Sequence, residues 1–230
     1  MVKKDFKILH YVENLKVGIG TPFLLPLEVK QVKSKLKGIK VNVYKPYKDS
    51  EKVLIYTNQL VGISLFQIIS PTILQHREIM GALMNLGVDS SCFGDIIVLK
   101  DRAYFYSLTA IDDEINTNLN KISRYSVKVK KVPLEELSNY EREYSSFTFL
   151  SSSLRLDKIV SLIAKTNREK ACLLIKNKEV TVNYEIITKP TYNLKEDDIL
   201  SIHRIGKFKF LGVKGMTKNN KIIGEYIKYI

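Results

Sequence analysis

Leu154-Arg155-Leu156-Asp157-Lys158-Ile159-Val160-Ser161-Leu162-Ile163-Ala164-Lys165-Thr166-Asn167-Arg168-Glu169-Lys170-Ala171-Cys172-Leu173-Leu174-Ile175-Lys176 is one stretch with two helical periods in it. Leu156, Ile159, Val160 and Ile163 recur at three- and four-residue spacing, which places them on one face of a helix beginning near 154. Asn167 has the side chain of an N-cap. The helix it starts turns Ala171, Leu174 and Ile175 inward and leaves Arg168, Lys170 and Lys176 toward solvent. A short alternating strand follows at Val180-Thr181-Val182-Asn183, then Ile186-Ile187, Lys189-Pro190 and a last strand over 199–204.

Two short helices packed at an angle expose the start of the second. There the first N–H groups lack intrahelical acceptors, and the partial positive charge favours a phosphate. Arg155 on the first helix and Arg168 and Lys170 on the second converge on that mouth, and the planar guanidinium fork matches a phosphate. Lys176, Lys189, Arg204 and Lys207 widen the surface, and Asn183 offers an amide to ribose or backbone. The candidate RNA-binding set is therefore Arg155, Asn167, Arg168, Lys170, Lys176, Asn183, Lys189, Arg204 and Lys207. Asp157 reads as an orienting partner rather than an RNA contact. The competing reading of Arg155 is a plain ion pair with that carboxylate. Contacts of this kind read RNA by shape rather than by sequence.

Upstream, Val61–Ile68 reads as a strand and Leu74–Leu86 as a helix with Ile79, Leu83 and Leu86 on its apolar face. Phe93–Leu99 and Ala103–Leu108 form a hairpin around Lys100-Asp101-Arg102. Asp112-Asp113-Glu114 supply the negative charge that a helix start favours, and that helix is expected to run to about Arg124. Ser126–Val132 closes the set as a strand. The order strand–helix–strand–strand–helix–strand is that of a ferredoxin-like, RRM-like domain. Phe66, Tyr104, Phe105 and Tyr106 are the aromatics that could stack bases there, but the Lys/Arg-Gly-aromatic pattern is absent, and strand aromatics are mostly packing residues. Residues 133–144 read as a polar connecting helix. In the first third, a helical pattern (Phe6, Leu9, Tyr11, Val12, Leu15) meets breakers at Gly18, Gly20, Pro22 and Pro26. A Lys-rich helix over Leu27–Leu36 and two strands around residues 45–49 follow.

The 230 residues carry 37 Lys and Arg against 24 Asp and Glu, a net charge of +13, and 45% hydrophobic residues. That balance excludes collagen-like and disulfide-stapled chains. The charge is uneven: +7 over residues 1–60, −2 over 61–150 and +8 over 151–230. The basic ends are where a polyanion should bind. Cys92 and Cys172 make neither a zinc pattern nor a redox pair, as expected of a reducing cytosol. The most apolar stretch, Leu60–Ile69, is too short to span a membrane, so a cytoplasmic protein without membrane partners is expected. His10, His76 and His203 stand apart from other metal-ligating residues, and no nucleophile–base pair is evident, so no catalysis, cofactor or metal is expected.

The five blocks Arg-Leu-Asp (155–157), Asn-Arg-x-x-Ala-x-x-Leu-Ile (167–175), Val-x-Val-Asn (180–183), Lys-Pro (189–190) and Asp-Asp-x-Leu (197–200) together resemble the alpha-L motif, or S-four, RNA-binding domain. Asn167 replaces the usual serine, and Lys178 and Tyr184 replace usual glycines. His76–Gly87, Phe93-Gly94-Asp95-Ile96, Gly206–Phe210 and Gly215–Lys218 are similar to the bacterial YlmH family. That resemblance implies a ribosome-associated RNA-binding protein linked to rescue of stalled large subunits carrying peptidyl-tRNA, and more loosely to cell division. The expected fold class is α+β. It comprises an N-terminal basic α/β domain (1–60), a ferredoxin-like middle domain (61–133), a connecting helix (134–150) and an alpha-L domain with a C-terminal β extension (151–230). Expected partners are ribosomal RNA, tRNA and the large ribosomal subunit, with the free protein a monomer. Two other readings are an RNA-modifying enzyme of pseudouridine-synthase type and a protein-interaction scaffold.

Overall fold

The computed structural model describes the backbone of residues 2–229 and the side chains of residues 6–229. The chain divides into two compact units, Met1–Glu141 and Arg142–Ile230.

In the first unit, α1 (Val2–Lys16) and α2 (Pro26–Lys35) precede the short hairpin of β1 (Asn42–Tyr44) and β2 (Leu54–Tyr56). Then come β3 (Ile63–Ile69), α3 (His76–Met84), β4 (Phe93–Val98), β5 (Ala103–Leu108), α4 (Asp112–Asn118), the small hairpin β6 (Lys121–Ile122) and β7 (Tyr125–Ser126), and β8 (Lys128–Val132). Strands β4-β5-β3-β8 form an antiparallel sheet in that order. Side chains alternate across it. Phe66, Ile68 and Phe105 pack against Ile79 and Leu83 of α3 and Ile115 of α4. Leu65, Tyr104, Tyr106 and Val132 point the other way, onto Phe23, Tyr47, Leu54 and Leu137.

The first 60 residues are therefore not a domain of their own. Ile8, Val12, Leu15, Leu24, Val32 and Ile55 make a small core, but Phe23 and Tyr47 belong to the sheet's second layer. Phe23 lies where a Cβ on Gly94 would come within 2.8 Å of its ring, so this glycine lets the ring seat on β4. Phe23 N donates to the Ser91 carbonyl (3.0 Å). The buried Asp95 carboxylate accepts from Tyr47 Oη (2.8 Å) and from the backbone N of Glu51 (2.7 Å) and Lys52 (3.2 Å), pinning the 45–52 turn to β4.

Two expected helices are replaced. The one expected to reach Arg124 stops at Asn118, and β6–β7 follow. Ile115, Leu119 and Ile122 are all buried, a spacing that suits a helix as well as a helix followed by a hairpin. Asn118, Asn120 and Ser123, with Ser123 at φ 56°, decide for the turn. The connecting helix over 134–150 is absent. Leu134–Leu137 makes one 3₁₀ turn that drops Leu137 under the sheet, and Tyr144–Ser151 is a strand of the second unit.

The second unit contains β9 (Tyr144–Ser151), α5 (Leu156–Ile163), α6 (Arg168–Lys176), β10 (Val180–Val182), β11 (Glu185–Ile186), β12 (Ile199–Ile202), β13 (Gly206–Met216) and β14 (Ile222–Tyr229). Its antiparallel sheet has the order β11-β10-β12-β13-β14-β9. Leu156, Ile159, Val160 and Ile163 of α5 and Ala171 and Ile175 of α6 pack with Val180, Val182, Leu200, Ile202, Phe208 and Phe210. The Phe149 ring on β9 occupies the space a side chain at Gly224 would need, so these outer strands close only over a glycine.

Candidate nucleic-acid interface

Arg155 is the N-cap residue of α5 in extended conformation, and Asp157 is in its first turn. The N–H groups of Leu156 and Asp157 donate to the carbonyls of Tyr192 (2.7 Å) and Pro190 (3.0 Å), so the 190–192 segment closes the mouth of α5. Asp157 is 1% exposed. It is not stranded. Arg155 donates from Nε (3.2 Å) and Nη2 (2.9 Å), and Arg168, at the first position of α6, from Nε (2.9 Å) and Nη2 (2.8 Å). Burial pushes the Asp157 carboxyl up, but the hydrogen bonds and charges of the two arginines outweigh it and hold the group below the usual carboxylate range. One buried anion thus fixes two cations, whose side chains keep 33% and 55% of their surface in solvent. One positive charge is left over, and the Nη1 edge of each guanidinium takes no part in the pairing.

The Arg155–Asp157 pair is present, as the competing reading had it, and it is the device that aims Arg155. Arg155, Arg168 and Lys176 rim an open depression of ≈ 520 Å³ floored by Cys172, Leu173 and Pro190. The floor was not singled out from sequence. Its signal lies in Leu173-Leu174-Ile175, since three consecutive apolar residues on a helix cannot all face inward, and Leu173 is 56% exposed.

The remaining candidates are placed differently. Asn167 Oδ1 accepts from Lys170 N (2.8 Å), so its side chain serves as the cap. Lys170 is about 200° around α6 from Arg168, away from the Arg168–Cys172–Lys176 row. Lys189 is exposed beside Pro190, at the edge of the depression. Asn183 is exposed but hydrogen-bonded within its turn: its Nδ2 donates to Asp198 (2.7 Å) and its Oδ1 accepts from Ile199 N (2.9 Å). One Nδ2 hydrogen of this exposed residue is left over for an RNA contact. Arg204 occupies the β12–β13 turn at φ 63°. Lys207 pairs with Ser201 between the inward Ile202 and Leu200 positions, so alternation puts it on the sheet face away from α5 and α6. There its ammonium is 5.0 Å from the Tyr184 ring centroid. The expected single cluster of nine is thus a core of Arg155, Arg168 and Lys176, with Lys189 at its edge.

The glycine replacements leave the turns intact. Lys178 and Tyr184 take φ 63° and 67°, and α6 ends with Lys178 N on Ile175 O (3.2 Å) and Glu179 N on Leu174 O (3.0 Å), a Schellman pair.

In the first unit the aromatic candidates are closed off. Phe66, Phe105 and Tyr106 are 0% exposed and Tyr104 2%. Tyr104 Oη donates to Glu136 (2.6 Å), and the Tyr106 hydroxyl is buried with no hydrogen-bond partner among the described residues. No base can stack on this sheet while the chain covers it.

A helix pair on an antiparallel sheet, with arginines held at the helix mouths, defines the class: an RNA-binding module of S4 type. Residues 154–200 match the S4 domain family, and residues 58–136 match the family described as "Putative RNA-binding domain in YlmH". The two matches stand in this order along the chain, and the first is to a domain described in YlmH. It is 30% identical over 146 residues to "Ribosome-associated protein quality control protein P2" of Bacillus subtilis, a match covering 64% of this chain and 57% of that protein. It is 37% identical over 83 residues to "Small ribosomal subunit protein uS4" of Karelsulcia muelleri, covering 33% and 42%. The chain thus spans about half the length of these relatives. A solved structure, "Cell division protein ylmH from Streptococcus pneumoniae", is 25% identical with a TM-score of 0.47, covering 60% of this chain and 92% of that one.

Proposed function

We propose that this chain is a non-catalytic RNA-binding protein that docks on structured ribosomal RNA or tRNA and acts on stalled large ribosomal subunits. In this reading it is a cytoplasmic monomer when off the ribosome. The observation that carries the reading is the pair of guanidiniums fixed by a buried carboxylate at the mouths of two helices, with unpaired edges facing solvent. The name of the Bacillus subtilis relative supports the ribosomal part. The sheet order β4-β5-β3-β8 with two helices on one face supports a ferredoxin-like middle domain, whose RNA contacts lie elsewhere than on its covered sheet face.

The test is a gel shift of the full chain on purified large-subunit ribosomal RNA. Arg168→Glu should abolish most binding while circular dichroism and the thermal midpoint show a folded protein. An unchanged shift midpoint rejects the site. Wild-type affinity should fall steeply as salt rises, because each neutralised phosphate releases counterions. A non-catalytic role further predicts that RNA incubated with the protein is recovered with no modified base.

A further inference from the structure

An open groove of ≈ 770 Å³ in the first unit lies between α3 and the segment from α4 through the β6–β7 hairpin. One wall is the row Arg77–Gly81–Asn85, four residues apart on α3. The other presents Asn120, Lys121 and Ser123. The two carboxylates that line it keep their negative charge, but each turns one oxygen to a neutral donor of the protein. Glu78 accepts from Gln75 N (2.8 Å) and caps α3, and Glu114 accepts from Asn118 Nδ2 (2.6 Å). Arg77 and Lys121 are exposed, and among the described residues they have no ion-pair partner and the Asn85 and Asn120 side-chain amides and the Ser123 hydroxyl make no hydrogen bond. Gly81 adds a separate oddity. Glycine weakens a helix interior, yet a Cβ at 81 would meet nothing within 4 Å and the backbone is not in the left-handed region. No internal contact requires the missing side chain.

We infer that this groove is a second RNA site, taking a stretch of ribose-phosphate backbone, with Arg77 and Lys121 on phosphates, Asn85, Asn120 and Ser123 on ribose hydroxyls, and Gly81 admitting the strand against α3. Neutral amides and a hydroxyl between two unpaired cations match a polyanion whose sugars carry 2′-hydroxyls. An acidic protein surface offers charges but not that alternation. The inference rests on the reading that the chain binds RNA, and it accounts for how a unit whose sheet is covered on both faces takes part.

The experiment uses the full chain and purified large-subunit ribosomal RNA, with a photo-crosslinking residue replacing Asn85 in one arm and Leu173 in another. The groove predicts an RNA crosslink from position 85. It also predicts that the salt slope of log affinity falls by about 2 in Arg77→Gln/Lys121→Gln, about one for each phosphate that is no longer neutralised. Gly81→Leu should bind RNA about tenfold more weakly, the scale of a single displaced phosphate, while its thermal midpoint is unchanged or higher because leucine is the better helix former. No RNA crosslink from 85, together with wild-type slope and affinity in these variants, overturns the groove. If Arg168→Glu still abolishes binding and position 173 still crosslinks, the α5–α6 reading stands without it.

Discussion

Tyr104 and Tyr106 on the sheet of the first unit are 2% and 0% exposed. Arg155 and Arg168 at the helix mouths of the second keep a third and a half of their side chains in solvent. Both regions display residue types that bind RNA, and each immobilises them, by opposite means. In the first, Phe23, Tyr47 and Leu137 cover the aromatics and turn them into core. In the second, the covered residue is the carboxylate, and burying it keeps the cations outward. A recognition residue is defined by what the rest of the chain leaves uncovered, and a polar group buried beneath a site can matter more than one displayed on it.

The comparison can be broken most forcefully at Phe23. If that ring is structural cover, Phe23→Ala should cost about 3–5 kcal/mol in urea unfolding followed by circular dichroism. A loss below about 1 kcal/mol would mean the cover is loose and the sheet accessible. A titratable effect separates the two regions. Asp157 is held low by its arginines, so the stability it adds is fully present above its unfolded value, near pH 4, and is lost as pH falls through its lower folded value. In the first unit Asp89 is held at about 2 by its hydrogen bonds from the Ser91 side chain and backbone and then by Lys7. Its contribution should vanish between about pH 4 and pH 2, and because its side chain is 60% exposed it should be the smaller. Unfolding curves of Asp157→Asn and Asp89→Asn against wild type check both: each difference should be flat from pH 8 to about pH 5 and shrink below it. A difference that grows on acidification contradicts the assignment.

Smaller effects sharpen the contrast. Tyr106→Phe removes a buried hydroxyl without a partner among the described residues, so it should be neutral or stabilise by up to about 1 kcal/mol and leave RNA affinity unchanged. Weaker RNA binding in that variant would reopen the sheet as a site. Lys178→Gly relieves a left-handed backbone at the end of α6, partly offset by the greater freedom of glycine in the unfolded chain. A gain of about 0.5 kcal/mol in thermal unfolding is expected.

The helix pair was legible in sequence because its apolar periods, its Asn cap and its arginines all agree within a short local stretch. The strand–helix–strand–strand–helix–strand order of the first unit was legible for the same reason. Cover was not, since Phe23 reaches Gly94 across some seventy residues and no local pattern announces it. The β9 strand was missed because Pro133 and the acidic run after it suggested a polar helix. Tyr144-Ser145-Ser146-Phe147-Thr148-Phe149 carried the β-rich composition that argued otherwise. At the site, the convergence of Arg155 and Arg168 followed from helix geometry. The hydrogen bond of Asn183 within its turn depends on Asp198, which local spacing does not reach.

The most direct measurement is the RNA affinity of Asp157→Asn. Substitution raises the net charge by one, so a protein that held RNA by bulk positive charge alone would bind more tightly. Here the carboxylate fixes both guanidiniums, so large-subunit ribosomal RNA should bind about tenfold more weakly at moderate salt, the scale of one misplaced phosphate contact. Equal or tighter binding by the folded variant would contradict the account.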